Sequence, residues 1–200
     1  TTYNGSGPTS GNVIYSNGYG MLANLAPNAA SLDGPFISNN LIYANNIRAI
    51  DITGGRNAQI YNNTIYQLQG DALRLTPYPG VGNGSLRIRN NIFAVGSDYA
   101  LDINLASQTA VNSDYNDFFI VANGQVGVWG GAGRGNLQLW RGASGMDANS
   151  LSVDTLFVDA DGTPSGLHRT YLTPEGRKAP VVSAKLSLGP LRGGGAVRLS

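Results

Sequence analysis

The sequence predicts an all-β fold, a right-handed parallel β-helix of about five coils with one short helix and a C-terminal extension. The first observation behind this prediction is a repeated unit in which a large apolar residue follows an asparagine by two positions. The asparagines of these units recur at similar but unequal intervals: Asn12, Asn40, Asn63, Asn91 and Asn116. A period of roughly 20–50 residues is typical of stacked repeats, and unequal intervals indicate loops of different size.

Two further apolar sets keep the register of the asparagines. One set follows each asparagine by about ten positions and consists of Leu22, Ile50, Leu73, Leu101 and Val126. The other precedes three of them by three positions and consists of Ile37, Ile60 and Ile88. The runs around these residues are short, alternate in polarity and are rich in β-branched and aromatic residues. These properties favour strands and argue against a helical solenoid. We therefore expect inward-facing apolar rows along the solenoid.

Paired asparagines are expected at the corners between strands. The pairs are Asn39-Asn40, Asn62-Asn63 and Asn90-Asn91. Asparagine tolerates the left-handed backbone region, and its side-chain amide can bond the equivalent amide or the backbone one coil away. The sequence therefore predicts that one residue of each pair belongs to a stacked ladder.

The predicted domain spans residues 1–162, and residues 163–200 form a C-terminal extension that the repeat pattern does not assign. Within the domain we expect an irregular lead-in over 1–11, coils over about 12–135, and a short helix with a last strand over 136–162. The apolar face of the helix is predicted from its spacing: Leu137, Leu139, Trp140 and Ala143. Gly145 is the expected end of this helix.

The composition argues against several classes of partner. Among 200 residues, 12% are charged and the formal net charge is +1, so we expect no nucleic-acid partner. The absence of cysteine excludes disulfides and thiolate sites. No apolar run reaches the ~18 residues of a membrane span, so no membrane insertion is expected. No cofactor is predicted. No metal site is predicted either, because the "DADG" at 159–162 lacks the distal glutamate of a calcium loop and indicates a turn.

The units "NNLIY", "NNTIY", "NNIF" and "DYNDFF" resemble those of the bacterial right-handed parallel β-helix repeat family. The segment "NLQLWRGASGMDANSLSVDTLFVDADG" is similar to the stretch that follows the last coils in such proteins, so the resemblance covers about residues 10–162. This family is related in architecture to pectate lyases and other polysaccharide-processing proteins. The resemblance implies a secreted or cell-surface module that binds a polysaccharide or glycan, alone or as part of a polysaccharide-processing enzyme.

Two other functions stay open from the sequence. A structural or adhesive solenoid would self-associate through the ends of the β-helix or through the C-terminal tail, because bare strand edges pair with other chains. A stand-alone polysaccharide lyase, hydrolase or epimerase would need catalytic groups on the coils. The resemblance implies Lys or Arg as the base of a lyase, and both lysines, Lys178 and Lys185, lie beyond the coils.

The catalytic candidates are Asp51, Arg74 and Asp102, which the repeat register places in one column on neighbouring strands. Because strands lie ~4.8 Å apart, the two aspartates would be two steps apart with the arginine between them. This separation is of the order that inverting glycosidases use to hold a water between acid and base. Alternating charge is also typical of an ion-pair ladder on a solvated face, and a sugar-binding groove is the third interpretation.

Six further residues are binding candidates: Arg48, Arg56, Asp71, Tyr78, Tyr99 and Trp129. Three of them form the column three positions upstream of the catalytic candidates. Arg56 is expected on a groove floor between two longer loops, "APNAASLDGP" and "TPYPGVGNG", and Tyr78 lies in the second loop. Trp129 is predicted to be an exposed sugar-stacking platform, whereas Trp140 is predicted to be packed core.

Overall fold

The computed structural model of the chain describes residues 2–3, 8–24, 34–54, 57–77 and 85–155. The strands are β1 (Thr2–Tyr3), β2 (Pro8–Ser10), β3 (Val13–Tyr15), β4 (Tyr19–Asn24), β5 (Phe36–Ser38), β6 (Leu41–Tyr43), β7 (Arg48–Thr53), β8 (Gln59–Tyr61), β9 (Thr64–Gln67), β10 (Asp71–Thr76), β11 (Leu86–Arg89), β12 (Ile92–Val95), β13 (Tyr99–Ile103), β14 (Val111–Asp114), β15 (Asp117–Ile120), β16 (Gln125–Trp129) and β17 (Ala132–Arg134). A 3-10 helix (Leu105–Ala110) and one α-helix, α1 (Leu137–Ser144), complete the described elements.

The strands stack into three sheets, and each coil contributes one strand to each sheet. Sheet A contains β1, β4, β7, β10, β13, β16 and β17. Sheet B contains β2, β5, β8, β11 and β14, and sheet C contains β3, β6, β9, β12 and β15. Neighbouring strands are parallel except for the final β16–β17 pair. This is the predicted parallel β-solenoid, with about 4 turns instead of about five.

The connections between sheets B and C keep one length in all coils, whereas those between sheets A and B vary in length. The B-to-C connection is two residues long in every coil, as between Ser38 and Leu41. The A-to-B connection varies, since positions 25–35 separate β4 from β5, whereas only positions 54–58 separate β7 from β8. The unequal repeat lengths therefore arise mainly at one corner.

The predicted apolar rows form the core of the solenoid. In sheet C, Ile42 pairs with Ile65 and Ile65 with Phe93, and all three are fully buried. The Phe93 ring stacks on the Phe118 ring with centroids 5.5 Å apart. The predicted sheet B row also stacks: Ile37, Ile60 and Ile88. Full burial of each such side chain contributes about 1.5–3 kcal/mol relative to exposure, so these rows supply much of the stability.

The prediction of the apolar row in sheet A is confirmed for its middle residues and is wrong at both ends. Ile50, Leu73 and Leu101 pair in register, as predicted. Met21 stands opposite Ile50, whereas Leu22 pairs with Asp51 in the adjacent column. At the other end Leu101 pairs with Gly127 instead of Val126.

The glycine at the end of the sheet A row makes room for a tryptophan ring. A Cβ on Gly127 would lie 2.7 Å from Cζ3 of Trp140. Trp140 is fully buried, which confirms its prediction as core. The α1 helix therefore contributes to the core at the end of the row.

A ladder of asparagines occupies the B-to-C corner, as predicted. At each step, the backbone N–H and Nδ2 of one asparagine both donate to Oδ1 of the asparagine in the next coil, at 3.0–3.1 Å. The ladder consists of Asn12, Asn40, Asn63, Asn91 and Asn116. All except Asn12 are buried. Because buried amides must be paired, the ladder fixes the register of one coil on the next.

The other residue of each corner has a left-handed backbone. Its φ is +56° at Asn39, +56° at Asn62 and +57° at Asn90. Gly11 takes this position at the corner before β3, with φ +72°, and Tyr115 takes it at the corner before β15, with φ +59°. Asparagine and glycine adopt this conformation at little cost, whereas a tyrosine is strained in it.

A second and shorter ladder lies at the corner between sheets C and A. The backbone N–H of Asn17 donates to Oδ1 of Asn45 at 3.2 Å, and Asn17 Nδ2 donates to the same atom at 3.4 Å. In the next coil, buried Gln67 donates from Nε2 to the Asn45 carbonyl. Its Oε1 has no hydrogen-bond partner within the described part of the chain. This ladder therefore does not continue through all the coils.

The helix α1 begins and ends as predicted. The Asn136 side chain accepts from the Leu139 N–H at 2.9 Å, and Gly145 ends the helix with φ +70°. Leu137 and Trp140 are buried, but Leu139 is 54% exposed, so its assignment to the apolar face was wrong. Of the expected strand after the helix, the structure describes only residues up to 155, and among them Leu151 forms a parallel bridge with Asp117.

The two ends of the predicted domain differ in how much the structure describes. The expected lead-in over 1–11 contains β1, which pairs with β4, and β2, which pairs with β5. By its internal contacts the chain divides into units at 1–155 and 156–200. The predicted boundary at 162 and the extension over 163–200 lie outside the described residues and stay predictions.

Asn63→Ala is expected to lower the free energy of unfolding by about 2–4 kcal/mol, because it leaves buried donors of Asn40 without an acceptor. Urea denaturation measures this loss. The matched control is Asn12→Ala, at the exposed end of the same ladder, where we expect a loss below about 1 kcal/mol. Equal losses at the two positions would contradict a buried network that locks the coils.

Tyr115→Asn is expected to raise the free energy of unfolding by about 1 kcal/mol, because asparagine tolerates the left-handed backbone better. The substitution also removes a contact in which Arg89 Cζ lies 5.8 Å from the centroid of the Tyr115 ring. Thermal unfolding measures the change, and Asn90→Tyr is the reverse control. A lower melting temperature for Tyr115→Asn would show that the arginine contact outweighs the strain.

Candidate functional site

The three catalytic candidates lie side by side on sheet A, as the repeat register predicted. Asp51 on β7 pairs with Arg74 on β10, and Arg74 pairs with Asp102 on β13. The neighbouring positions in these strands are core residues, such as Ile50 and Leu73. The alternation of the strand therefore directs the charged column to the outer face of the sheet.

Ion pairs join this column to the upstream one. Arg48 Nη1 lies 3.2 Å from Asp51 Oδ2, and Arg48 Nε lies 3.1 Å from Asp71 Oδ2. Arg74 Nε lies 3.3 Å from Asp102 Oδ2. The five side chains therefore form two ion-paired groups, Arg48 with Asp51 and Asp71, and Arg74 with Asp102, which together make up the ion-pair ladder. One pair in each group crosses between coils.

The ladder is covered at one end and open at the other. The Asp51 and Asp71 residues are 7% and 8% exposed. In contrast, the side chains of Arg74 and Asp102 are 35% and 26% exposed. The Arg74–Asp102 pair is therefore the part of the ladder that offers polar atoms to a ligand.

Burial raises the pKa of two of the carboxyl groups. It raises the pKa of Asp71, although the hydrogen bond from Arg48 acts in the opposite direction. Burial also raises the pKa of Asp102, against the lowering effect of the positive charge on Arg74. These carboxylates are therefore less solvated than ordinary surface aspartates.

Two tyrosines occupy the upstream column. Tyr19 on β4 pairs with Arg48, whose Cζ lies 6.0 Å from the ring centroid. Asp71 and Tyr99 are the first residues of β10 and β13, which are paired in register, so the two residues stand in the same column. Both tyrosines are partly exposed. The column Tyr19, Arg48, Asp71, Tyr99 therefore carries an aromatic ring on each side of the charges.

The remaining binding candidates are placed only in part. Trp129 is partly buried, and its ring meets the Trp140 ring edge-on with centroids 5.6 Å apart. Trp129 thus packs against the core while it keeps some exposure. Arg56, Tyr78 and most of the two loops expected to wall a groove lie outside the described residues.

A comparison with protein families identifies the family to which the stacked coils belong. Residues 2–139 match the family described as the right handed beta helix region. This match covers more than half of the chain. The chain belongs to the right-handed β-helix family. The match supplies the hand of the β-helix and confirms the predicted fold class.

The C-terminal part of this β-helix protein resembles a different family. Residues 155–199 match a domain of unknown function, DUF7146. No curated protein and no solved structure matches the chain. Within the described part of the chain, no helix has the length and apolar character needed to cross a membrane.

The sequence analysis missed Asp147, which organises the C-terminal end of the β-helix. Asp147 is 1% exposed and has φ +58°. Its Oδ2 accepts from Trp140 Nε1 at 2.8 Å. Its Oδ1 accepts from Ser113 Oγ at 3.0 Å, Asn116 Nδ2 at 3.1 Å and Ser150 Oγ at 2.6 Å. One carboxylate therefore joins the asparagine ladder to α1. The only sequence signal for this arrangement is the turn-forming pair "NS" at 149–150.

The pH dependence of stability tests the environment of Asp71. Its folded pKa is raised, so the folded state binds more protons than the unfolded state between the two pKa values. Asp71 therefore contributes a fall in the free energy of unfolding as pH rises through that interval, and Asp71→Asn is expected to make the total fall smaller. Urea denaturation at a series of pH values measures the difference.

Asp114 provides an internal contrast for this pH experiment. Burial would raise its pKa, but hydrogen bonds from the Asn149 side chain and backbone lower it overall. Carboxyl carbon shifts in NMR are therefore expected to show Asp71 titrating at higher pH than Asp114. The reverse order would contradict the burial of Asp71 in the ladder.

Proposed function

We propose that this β-helix binds an extended, uncharged polysaccharide along the outer face of sheet A. The observation that carries the proposal is the upstream column in which Tyr19 and Tyr99 stand on either side of paired charges. Carbohydrate sites combine aromatic rings, which contact the apolar faces of sugars, with polar groups, which bond the hydroxyls. Both kinds of group are present here in one row.

The spacing of the row suits a linear polymer. Tyr19 and Tyr99 lie on strands three steps apart in sheet A, which is roughly 14 Å at the usual strand spacing. This length accommodates a short run of sugar units. Because the polar groups recur along the axis of the solenoid, they suit a ligand that lies along the same axis.

The state of the charged groups favours binding of hydroxyls. The ion pairs hold the arginine and aspartate side chains in place, so little side-chain entropy would be lost on binding. Arg74 donates and Asp102 accepts hydrogen bonds, and both retain exposure. Together they offer a donor and an acceptor to one hydroxyl-rich ligand.

The charge balance favours an uncharged ligand over a uronate polymer. The ladder contains two arginines and three aspartates, which give 2 − 3 = −1 when all are ionised. An acidic polymer would meet this net negative charge. A polysaccharide ligand is in turn consistent with a secreted or cell-surface location, which is part of this proposal.

Affinity electrophoresis in gels that contain uncharged glucan, xylan or galactomannan tests the proposal, with polygalacturonate as the acidic comparison. We expect retention on an uncharged polymer, and we expect Tyr99→Ala and Arg74→Ala to weaken it at least about tenfold. Arg87→Ala, on the exposed face of sheet B, is the matched control and should leave retention unchanged. Absence of retention, or stronger retention on polygalacturonate, would refute the proposal.

Turnover of a bound polysaccharide is the second candidate function. One observation favours it: burial raises the pKa of Asp102, and general acids need a raised pKa. Release of reducing ends or of unsaturated products from the retained polymer would reveal such an activity. In that case Asp51→Asn, Arg74→Ala and Asp102→Asn should abolish turnover while the β-helix stays folded, and activity that survives all three would exclude this site.

A further inference from the structure

The polar column on the outer face of sheet A continues past Tyr99. Gln125, the first residue of β16, pairs with Tyr99 in register, and its backbone N–H donates to the Asp98 carbonyl at 2.8 Å. Gln125 is partly exposed. The column that runs from Tyr19 to Tyr99 therefore has a fifth member on the next coil.

The side-chain amide of Gln125 has no hydrogen-bond partner among the described residues. A glutamine amide offers two N–H donors and one carbonyl acceptor. In contrast, the amide of buried Gln108 donates from Nε2 to the Ile103 carbonyl at 3.1 Å and accepts at Oε1 from the Gly130 N–H at 3.2 Å. The Gln125 amide is therefore available to a ligand, whereas the Gln108 amide is used within the fold.

A glycine on the neighbouring strand determines where the Gln125 amide lies. A Cβ on Gly133 would overlap Gln125 Oε1, and it would lie 3.1 Å from Cδ and 3.4 Å from Nε2 of the same side chain. The φ of Gly133 lies outside the left-handed region, so the backbone conformation does not require glycine there. The absence of a side chain at Gly133 is what leaves space for the amide.

The β16–β17 hairpin beneath the amide is held in place by its own hydrogen bonds. Its turn, Gly130-Gly131, has φ values of +61° and +77°, which are typical of tight two-residue turns between antiparallel strands. Gln108 accepts from the Gly130 N–H, and Arg134 donates from Nη2 to the Trp129 carbonyl at 3.0 Å. The surface under the amide is therefore formed before a ligand binds.

Apolar and aromatic surface borders the amide. Val128 pairs with Asp102 on one side and with Gly133 on the other. Val128 and Tyr99 are both partly exposed. A polar amide beside apolar surface suits a sugar unit, because the amide can bond its hydroxyls while the apolar surface contacts its C–H face.

We propose that Gln125 forms the subsite at the C-terminal end of the polysaccharide-binding column, and that Gly133 positions its amide. This inference rests on the proposed function. Tyr19 and Gln125 lie four strand steps apart in sheet A, which is roughly 19 Å at the usual strand spacing. Each sugar of an extended chain advances the polymer by about one such step. The column therefore contacts about five consecutive sugar units, and the last of them bonds to Gln125.

Titration calorimetry with uncharged β-1,4-linked gluco-, xylo- and manno-oligosaccharides of two to six units tests the inference on the whole chain. In the series that binds, we expect the affinity to rise with length and to level off at about five units. In Gln125→Ala it should level off one unit earlier, and the longest oligosaccharide should bind about fivefold more weakly, because one hydrogen-bonding group is lost. Gln59→Ala, at a partly exposed glutamine on sheet B, is the matched control and should leave the length dependence unchanged.

Gly133→Ala tests the positioning role separately. The added Cβ displaces the Gln125 amide, so we expect the affinity to level off one unit earlier here as well. In a Gln125→Ala background, Gly133→Ala should have no further effect, because the amide that it would displace is absent. A general structural effect of the alanine would weaken binding equally in both backgrounds. Thermal unfolding of each variant checks that the β-helix stays folded.

Two kinds of failure are distinguishable in these titrations. Absence of binding by every oligosaccharide, together with absence of retention on the polymers, would overturn the proposed function and this inference with it. Binding that has the same length dependence in the unchanged protein and in Gln125→Ala would overturn the inference alone. A loss from Gly133→Ala that persists without the Gln125 amide would overturn the positioning role.

Discussion

The hydrogen bonds between asparagines of successive coils are the interaction on which the rest of this molecule depends. Each interior ladder residue, such as Asn63, accepts from one neighbouring coil and donates to the other, so its position is set from both sides. The hydrophobic rows alone would tolerate small shifts, because apolar contact is not directional. The ladder adds the direction, and the apolar rows add most of the free energy.

The outer face of sheet A inherits its geometry from this register. Arg48 and Asp71 form an ion pair between neighbouring coils, and so do Arg74 and Asp102. A slip of one residue along a strand would turn these side chains toward the core and break both pairs. The asparagine ladder at the B-to-C corner thus fixes the positions of the charged side chains on sheet A.

The parts of the structure that repeat were predictable, and the parts that occur once were not. The rows through Ile42 and Ile65 and the asparagine ladder each leave several copies in the sequence, so their register could be derived. Asp147 has no counterpart in other coils, and its role depends on groups that are distant in sequence, such as Ser113. Leu22 and Val126 were misplaced by one position because the spacing from the ladder asparagine to the row is not constant: Met21 lies 21 − 12 = 9 residues after Asn12, and Gly127 lies 127 − 116 = 11 residues after Asn116.

The candidate site also combines features that the repeat predicted with features that it could not predict. The repeat register placed Asp51, Arg74 and Asp102 in one column, as the structure has them. It could not show that Arg48 bridges Asp51 and Asp71, because that depends on the side-chain conformation of one arginine. The packing of Trp129 against Trp140 was also hidden, since the two residues come together only through the β17 turn and α1.

The B-to-C corner always has two residues, whereas the A-to-B connection varies in length, so the solenoid tolerates insertions at one corner. Insertions at the A-to-B corner leave the strand pairing and the hydrogen bonds of the asparagine amides in place, since long and short connections already coexist in neighbouring coils. Foreign loops grafted there would be displayed side by side at strand spacing along the rod. Natural variation in this architecture can accordingly alter what the protein displays without changing how it folds.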